Sequence, residues 1–168
     1  MESESARVTT AAETSFRIDA PNARARTVKV IALDPPSERM AAELAQLSWN
    51  GASFLTASAF AGAPQRAEAF SMQGWLSDLA GRTKDLIDEI ASADLIVMVA
   101  AAGHDAGAAA IIGEACQARG VMTTGLVLGS EADESSARTS AQLRPHVLML
   151  VIAGTPVYIE DMLRALRA

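Results

Sequence analysis

The chain has 168 residues, half of them hydrophobic and 20% charged, with 14 basic against 20 acidic side chains for a net charge of −6. That balance fits one globular domain able to bury a full core, and excludes a disordered chain, a collagen- or mucin-like repeat and a disulfide scaffold, since Cys116 is the one cysteine. It also argues against nucleic acid or an anionic membrane surface as partner: neutralising phosphates needs a basic footprint, and four Phe, two Trp and one Tyr give few platforms for base stacking.

Residues 1–25 carry Ser, Thr, Glu, Ala and Arg without periodicity and read as a flexible N-terminal tail, in which Ser15–Asp19 could pair on a sheet edge; residues 26–168 read as a single α/β domain. The opening MESESARVTT is polar and acidic, unlike a secretory signal. The longest apolar run, Leu95–Gly103, is far short of the roughly 20 residues a membrane helix needs. The expectation is a soluble, cytoplasmic protein with Cys116 reduced.

Thr27–Leu33 is β-branched and apolar and predicts a first strand. Asp34-Pro35-Pro36-Ser37 ends it, with Ser37 placed to cap a helix through about Leu47 that buries Met40, Leu44 and Leu47. Gly51–Ala57 predicts a second strand, followed by an irregular stretch, 58–82, with Phe60, Phe70, Trp75 and a short helix at about 75–79. Lys84–Ala91 predicts a helix with Leu86, Ile87 and Ile90 inward, and Asp94–Ala100 a third strand. After the turn Gly103-His104-Asp105, a helix runs from about Ala106 to Arg119 and stops at Gly120. Val121–Leu128 is a fourth strand, and Ser130 with Asp133 forms a capping-box pattern for the next helix. His146–Ala153 is a fifth strand, after which Thr155 and Pro156 suit the N-cap and first position of a last helix that turns Met162, Leu163 and Leu166 inward.

Strand–helix alternation of this kind predicts a three-layer α/β sandwich, Rossmann-like in construction. For five parallel strands the commonest arrangement is the flavodoxin-like order 2-1-3-4-5. In such sheets ligands bind beyond the carboxyl ends of the strands, where the order reverses. That places a crevice between the turn bearing Asp34 and Ser37 and the turn bearing Gly103, His104, Asp105 and Gly107, with Thr56, Ser58, Ser130 and Thr155 on the same rim. Asp34, Ser37, Gly103, His104, Asp105, Gly107 and Ser130 are therefore the candidate ligand contacts. His104 beside Asp105 is the candidate acid–base pair, although Asp105 also suits a plain helix cap. No cysteine–histidine cluster, phosphate-loop lysine or Gly-x-Ser-x-Gly elbow is present, so no metal site is expected, and the sequence leaves any cofactor unknown. Cys116 shares a helix face with Ile112 and reads as core.

The segment Asp94–Leu128, about a fifth of the chain, resembles the nucleoside 2-deoxyribosyltransferase-like superfamily through Ala93-Asp94, the Asp105-Ala106-Gly107 turn and the Gly113-Glu114-Ala115 helix. The resemblance implies a flavodoxin-like fold that handles nucleosides or related glycosides at this crevice. The position of that family's nucleophilic glutamate is Ile111 here, so its covalent glycosyl transfer is not implied. The same stretch is similar to the glycine-rich phosphate turn of tubulin-like bacterial division GTPases, but Ala101, Ala102 and Asp105 stand where those proteins use glycine, which argues against GTP hydrolysis.

Three functions follow as expectations. The first is a domain that binds a small ligand, nucleotide- or sugar-like, at the crevice. The second is an enzyme of glycosidic or hydrolytic type using His104 and Asp105. The third is a scaffold or interaction subunit using the aromatics of 58–82. An alanine-rich outer helix would also suit a homodimer.

Overall fold

A computed structural model describes residues 24–58, 76–78 and 83–168. The N-terminal tail up to residue 23, the Ser15–Asp19 segment and the aromatics Phe60, Phe70 and Trp75 lie outside the described residues. The described elements are β1 (Val28–Ala32), α1 (Pro35–Leu44), β2 (Ala52–Thr56), β3 (Leu76–Asp78), β4 (Thr83–Lys84), α2 (Leu86–Ala91), β5 (Leu95–Ala101), α3 (Ala108–Arg119), β6 (Met122–Leu128), α4 (Glu134–Leu143), β7 (Met149–Ala153) and α5 (Val157–Ala165). They build one sheet in the order β4-β3-β2-β1-β5-β6-β7.

The five strands β2-β1-β5-β6-β7 are all parallel, with β1 aligned to β2 from Val28↔Ala52 and to β5 from Val28↔Leu95. In parallel-strand numbering this is 2-1-3-4-5, so the fold is the flavodoxin-like α/β sandwich. Two short strands extend it beyond β2: β3 pairs antiparallel to β2, and β4 antiparallel to β3. The short helix expected at about 75–79 is therefore corrected, because Leu76–Asp78 is this added strand. A three-residue segment has too few turns to repay helix nucleation, whereas an existing strand edge offers it hydrogen bonds at once.

Each face of the sheet carries its own core. Val28, Val30, Ala32, Val97, Val99 and Leu126 pack on one side against Met40 and Leu44 of α1 and Ile159 and Leu163 of α5. Ile31, Ile96, Met98 and Val127 pack on the other against α2, α3 and Leu143 of α4. β5 is buried along nearly its whole length because it is covered on both faces, which is why it reads as a continuous apolar run. Burying each large aliphatic side chain contributes about 1.5–3 kcal/mol.

Several helix ends differ from the sequence reading. α1 begins at Pro35, with Asp34 and not Ser37 as its N-cap. Two prolines look like breakers, yet in a first helical turn their missing N–H groups have no intrahelical partner to lose and their fixed φ is already helical. α1 ends at Leu44, short of Leu47, which is 39% exposed. The Leu44 carbonyl accepts from Leu47 N at 3.0 Å and also from the Trp49 indole N–H at 2.8 Å, which ties Trp49 to the last turn. Trp49 also tilts against Phe54, with Arg164 5.2 Å above its ring.

The N-cap of α4 is Asp133, not Ser130. Asp133 accepts from the Ser135 hydroxyl and N–H at 2.6 and 3.0 Å, bonds that hold its carboxyl below the usual range with help from Arg138. His146 does not begin a strand. It closes a short 3-10 turn, Arg144–His146, and β7 starts only at Met149. α5 starts at Val157 after Pro156, and Thr155 makes no capping bond. Gly120 ends α3 as expected, in the left-handed region at φ 67°.

The 3-10 turn lies directly on α3: a Cβ built on Gly113 would stand 2.7 Å from His146 Cβ and 3.0 Å from the His146 carbonyl oxygen. Gly113→Ala is expected to destabilise the protein by about 1–3 kcal/mol, as overpacking does. Urea denaturation would show it as a lower midpoint with an unchanged slope.

Candidate functional site

The turns after β1 and β5 meet at the carboxyl end of the sheet, where strand order reverses. Asp34 joins them. It is 1% exposed, its Oδ1 accepts from Ser37 N at 2.8 Å and its Oδ2 accepts from Ala101 N, the last residue of β5, at 2.7 Å. Ser37 is fully buried; its hydroxyl donates to the Asp34 carbonyl at 3.0 Å and accepts from Asp34 N at 3.3 Å. These two candidates form the floor of the crevice, and their side-chain oxygens are engaged within the fold.

Gly103, His104, Asp105 and Gly107 follow β5 on the opposite face, where α4 holds them. Gly103 N donates to Thr139 Oγ1 at 3.0 Å, and Thr139 Oγ1 donates to the His104 carbonyl at 3.2 Å. Ala106 N donates to Gln142 Oε1 at 2.8 Å. Asp105 is not the N-cap of α3. The cap is Gly107, with no side-chain bond, and Asp105 Oδ1 accepts from Gly107 N at 3.1 Å in a turn just ahead of the helix. Gly103, His104 and Asp105 line a recess of about 230 Å³ with Arg138, Thr139 and Gln142. Gly103 and His104 are exposed there. Ser130, also exposed, accepts from Ala132 N at 3.4 Å beyond β6.

On the α1 side of the floor stands a group that the sequence reading left unassembled. Glu38, in the first turn of α1, accepts at Oε2 from Thr56 Oγ1 at 2.9 Å and from the Ser58 hydroxyl. Thr56 Oγ1 also lies 2.9 Å from Ser58 Oγ and accepts from Ser58 N at 3.1 Å. Thr56 ends β2 and is buried, while Glu38 and Ser58 are half-exposed. Along α1, a recess of about 270 Å³ lined by Pro35, Glu38, Arg39 and Ala42 shares Glu38 with this cluster. The available signal was an acidic residue in the helix after β1, together with two hydroxyl residues flanking the end of β2.

The remaining chemistry-bearing residues lie elsewhere. Ile111 is buried in α3, and Glu114 lines a recess with His146, Met122 and Thr123 at the amino end of β6, opposite the crevice. Cys116 is buried with Ile112 against the sheet, and burial pushes its thiol up to about 12. Among the described residues no group of three His, Cys, Asp or Glu could hold a metal ion, and no helix is long and apolar enough to cross a membrane.

The fold and crevice thus define a flavodoxin-like α/β protein with a polar rim at its strand-order reversal. No protein-family model matches the chain, and no curated protein matches it.

Two measurements probe this geometry. Asp34→Ala leaves the buried Ser37 N and the half-buried Ala101 N without acceptors; the expected destabilisation, read by urea denaturation, is about 2–5 kcal/mol. The Cys116 thiol should resist thiol reagents at pH 8 until the chain is unfolded. In the unfolded chain that thiol ionises near its ordinary 9.0 while the native one stays protonated to about 12. Stability should therefore fall as pH rises from about 9 towards 12. The stability gap between the wild type and Cys116→Ala should narrow over that window.

Proposed function

We propose that the protein binds a small hydroxyl-rich ligand, sugar- or nucleoside-like, at the carboxyl end of its sheet. The observation that carries this reading is the Glu38–Thr56–Ser58 cluster on the crevice rim. A carboxylate accepts from two neighbouring hydroxyls at once, and Ser and Thr hydroxyls both donate and accept, so this set matches a diol. An acidic group near the end of the second strand is also where open α/β folds hold ribose hydroxyls. The buried Asp34–Ser37 floor supports the reading by fixing α1, and with it Glu38, relative to β1 and β5. The small recess beside Glu38 suits a monosaccharide-sized moiety, below the usual range of about 300–1,000 Å³ for larger ligands. Of the residues first expected to touch ligand, Gly103, His104 and Asp105 remain contacts from the far side of the floor, with Arg138 and Gln142 beside them.

A thermal-shift panel of nucleosides and monosaccharides at millimolar concentration tests the reading. A ligand present at 100 times its Kd adds about 2.7 kcal/mol, or roughly 5–10 °C for a domain of this size. Glu38→Ala should abolish the shift while leaving the unliganded midpoint within a few degrees of the wild type. A panel in which no compound raises the midpoint overturns the proposal.

A further inference from the structure

The two edges of the sheet are protected very differently. One ends in β4, two residues long and containing Lys84, as natural edges commonly do. The other is β7, five residues reading Met-Leu-Val-Ile-Ala, in unbroken parallel register with β6. Among the described residues no strand pairs with its outer side. It has no proline, no bulge and no charge, and the sequence from Val147 to Ile159 carries no charged residue in a chain of net charge −6.

Most of the exposed large hydrophobic residues gather along this one edge. Leu148 is 79% and Met149 50% exposed at its start; Val157 and Tyr158 are 60% and 43% exposed just beyond its end. Of the alanines of α3, Ala108, Ala109 and Ala115 are buried in the protein's own core, while Ala110 is half-buried and Ala118 exposed.

We infer that β7 is a homodimer interface, pairing antiparallel with β7 of a second copy to make one continuous sheet across both protomers. Three observations favour a second copy as occupant. The first is backbone parity. The Ala153 carbonyl faces β6, accepting from Gly129 N at 3.0 Å, so by strand alternation Leu150 and Ile152 turn their N–H and C=O groups outward. A two-fold axis at Val151 sets Leu150 of one copy opposite Ile152 of the other, and the outward groups pair reciprocally. The second is the placement of the apolar residues. With the axis at Val151, antiparallel pairing sets Leu148 of one copy opposite Gly154 of the other, so the exposed Leu148–Met149 patch lies next to the strand end from which the partner's exposed Val157 and Tyr158 follow. The third is electrostatic: an acidic chain meets its own copy along an uncharged stretch, where like-charge repulsion is least. The inference stands apart from the ligand reading, since β7 lies two strands from the crevice between β1 and β5.

Sedimentation of the full chain at 1–100 μM should give twice the 17.5 kDa monomer mass. Leu148→Asp combined with Met149→Asp, both at exposed positions, should return it to the monomer with an unchanged circular dichroism spectrum. Val151→Cys adds a test of register. The two Val151 residues would face each other as a non-hydrogen-bonded pair with Cα atoms about 4.5 Å apart, within disulfide range. Mild oxidation should then give a covalent dimer. Met149→Cys should not cross-link, because its copies would lie about 14 Å apart. A wild type that stays monomeric at 100 μM overturns the inference, as does a dimer that survives the double substitution or a Met149→Cys chain that cross-links as readily as Val151→Cys.

Discussion

The carboxyl end of this sheet is organised by one buried acid. Each oxygen of Asp34 accepts a backbone N–H, one from the first turn of α1 and one from the last residue of β5. The bond to Ala101 spans 67 positions of sequence and fixes β1, α1 and the exit of β5 in a single geometry. Breaking it would leave the buried Asp34 carboxylate and the half-buried Ala101 N–H without each other, which is costlier than the bond itself is favourable. The crevice therefore has a rigid floor, and groups free to meet a ligand must come from its rim.

That constraint sorts the polar residues of the site. Ser37 shares Asp34's closed network, while Glu38, one residue further along α1, reaches the rim and gathers Thr56 and Ser58. Across the floor, α4 acts as a second support. Thr139 and Gln142 take the backbone N–H groups of the turn after β5, which would otherwise be available to an anion. The Gly103–Gly107 turn is thus a positioned loop and not an open phosphate cradle.

The sheet also carries a marked asymmetry. Its crevice lies in the middle, between β1 and β5, and the apolar strand β7 forms one edge. A ligand site and a self-association edge built on one sheet can operate without competing for residues. The Arg144–His146 turn matters here as well: by packing on Gly113 it delays the start of β7 to Met149 and leaves Leu148 standing out in solvent.

The apolar periodicity of the sequence determined the five parallel strands, the helices between them and the end at which the turns bearing Asp34 and Gly103 meet. These are local patterns, set by which side chains must leave water and by the two repeats of strand and helix. The caps were less legible, since Ser37, Ser130 and Thr155 all look like N-caps by composition while Asp34, Asp133 and Pro156 occupy those positions. Only the tertiary structure decided which polar residues are used up inside the fold and which reach the rim. Asp34 is closed off by Ala101 and Ala106 is held by Gln142, across 67 and 36 positions, whereas Glu38 becomes a site residue only when β2 brings Thr56 beside it. Hydrogen bonds of that span leave no periodic trace in the chain, because they depend on where strands and helices pack and not on the spacing of residues within them.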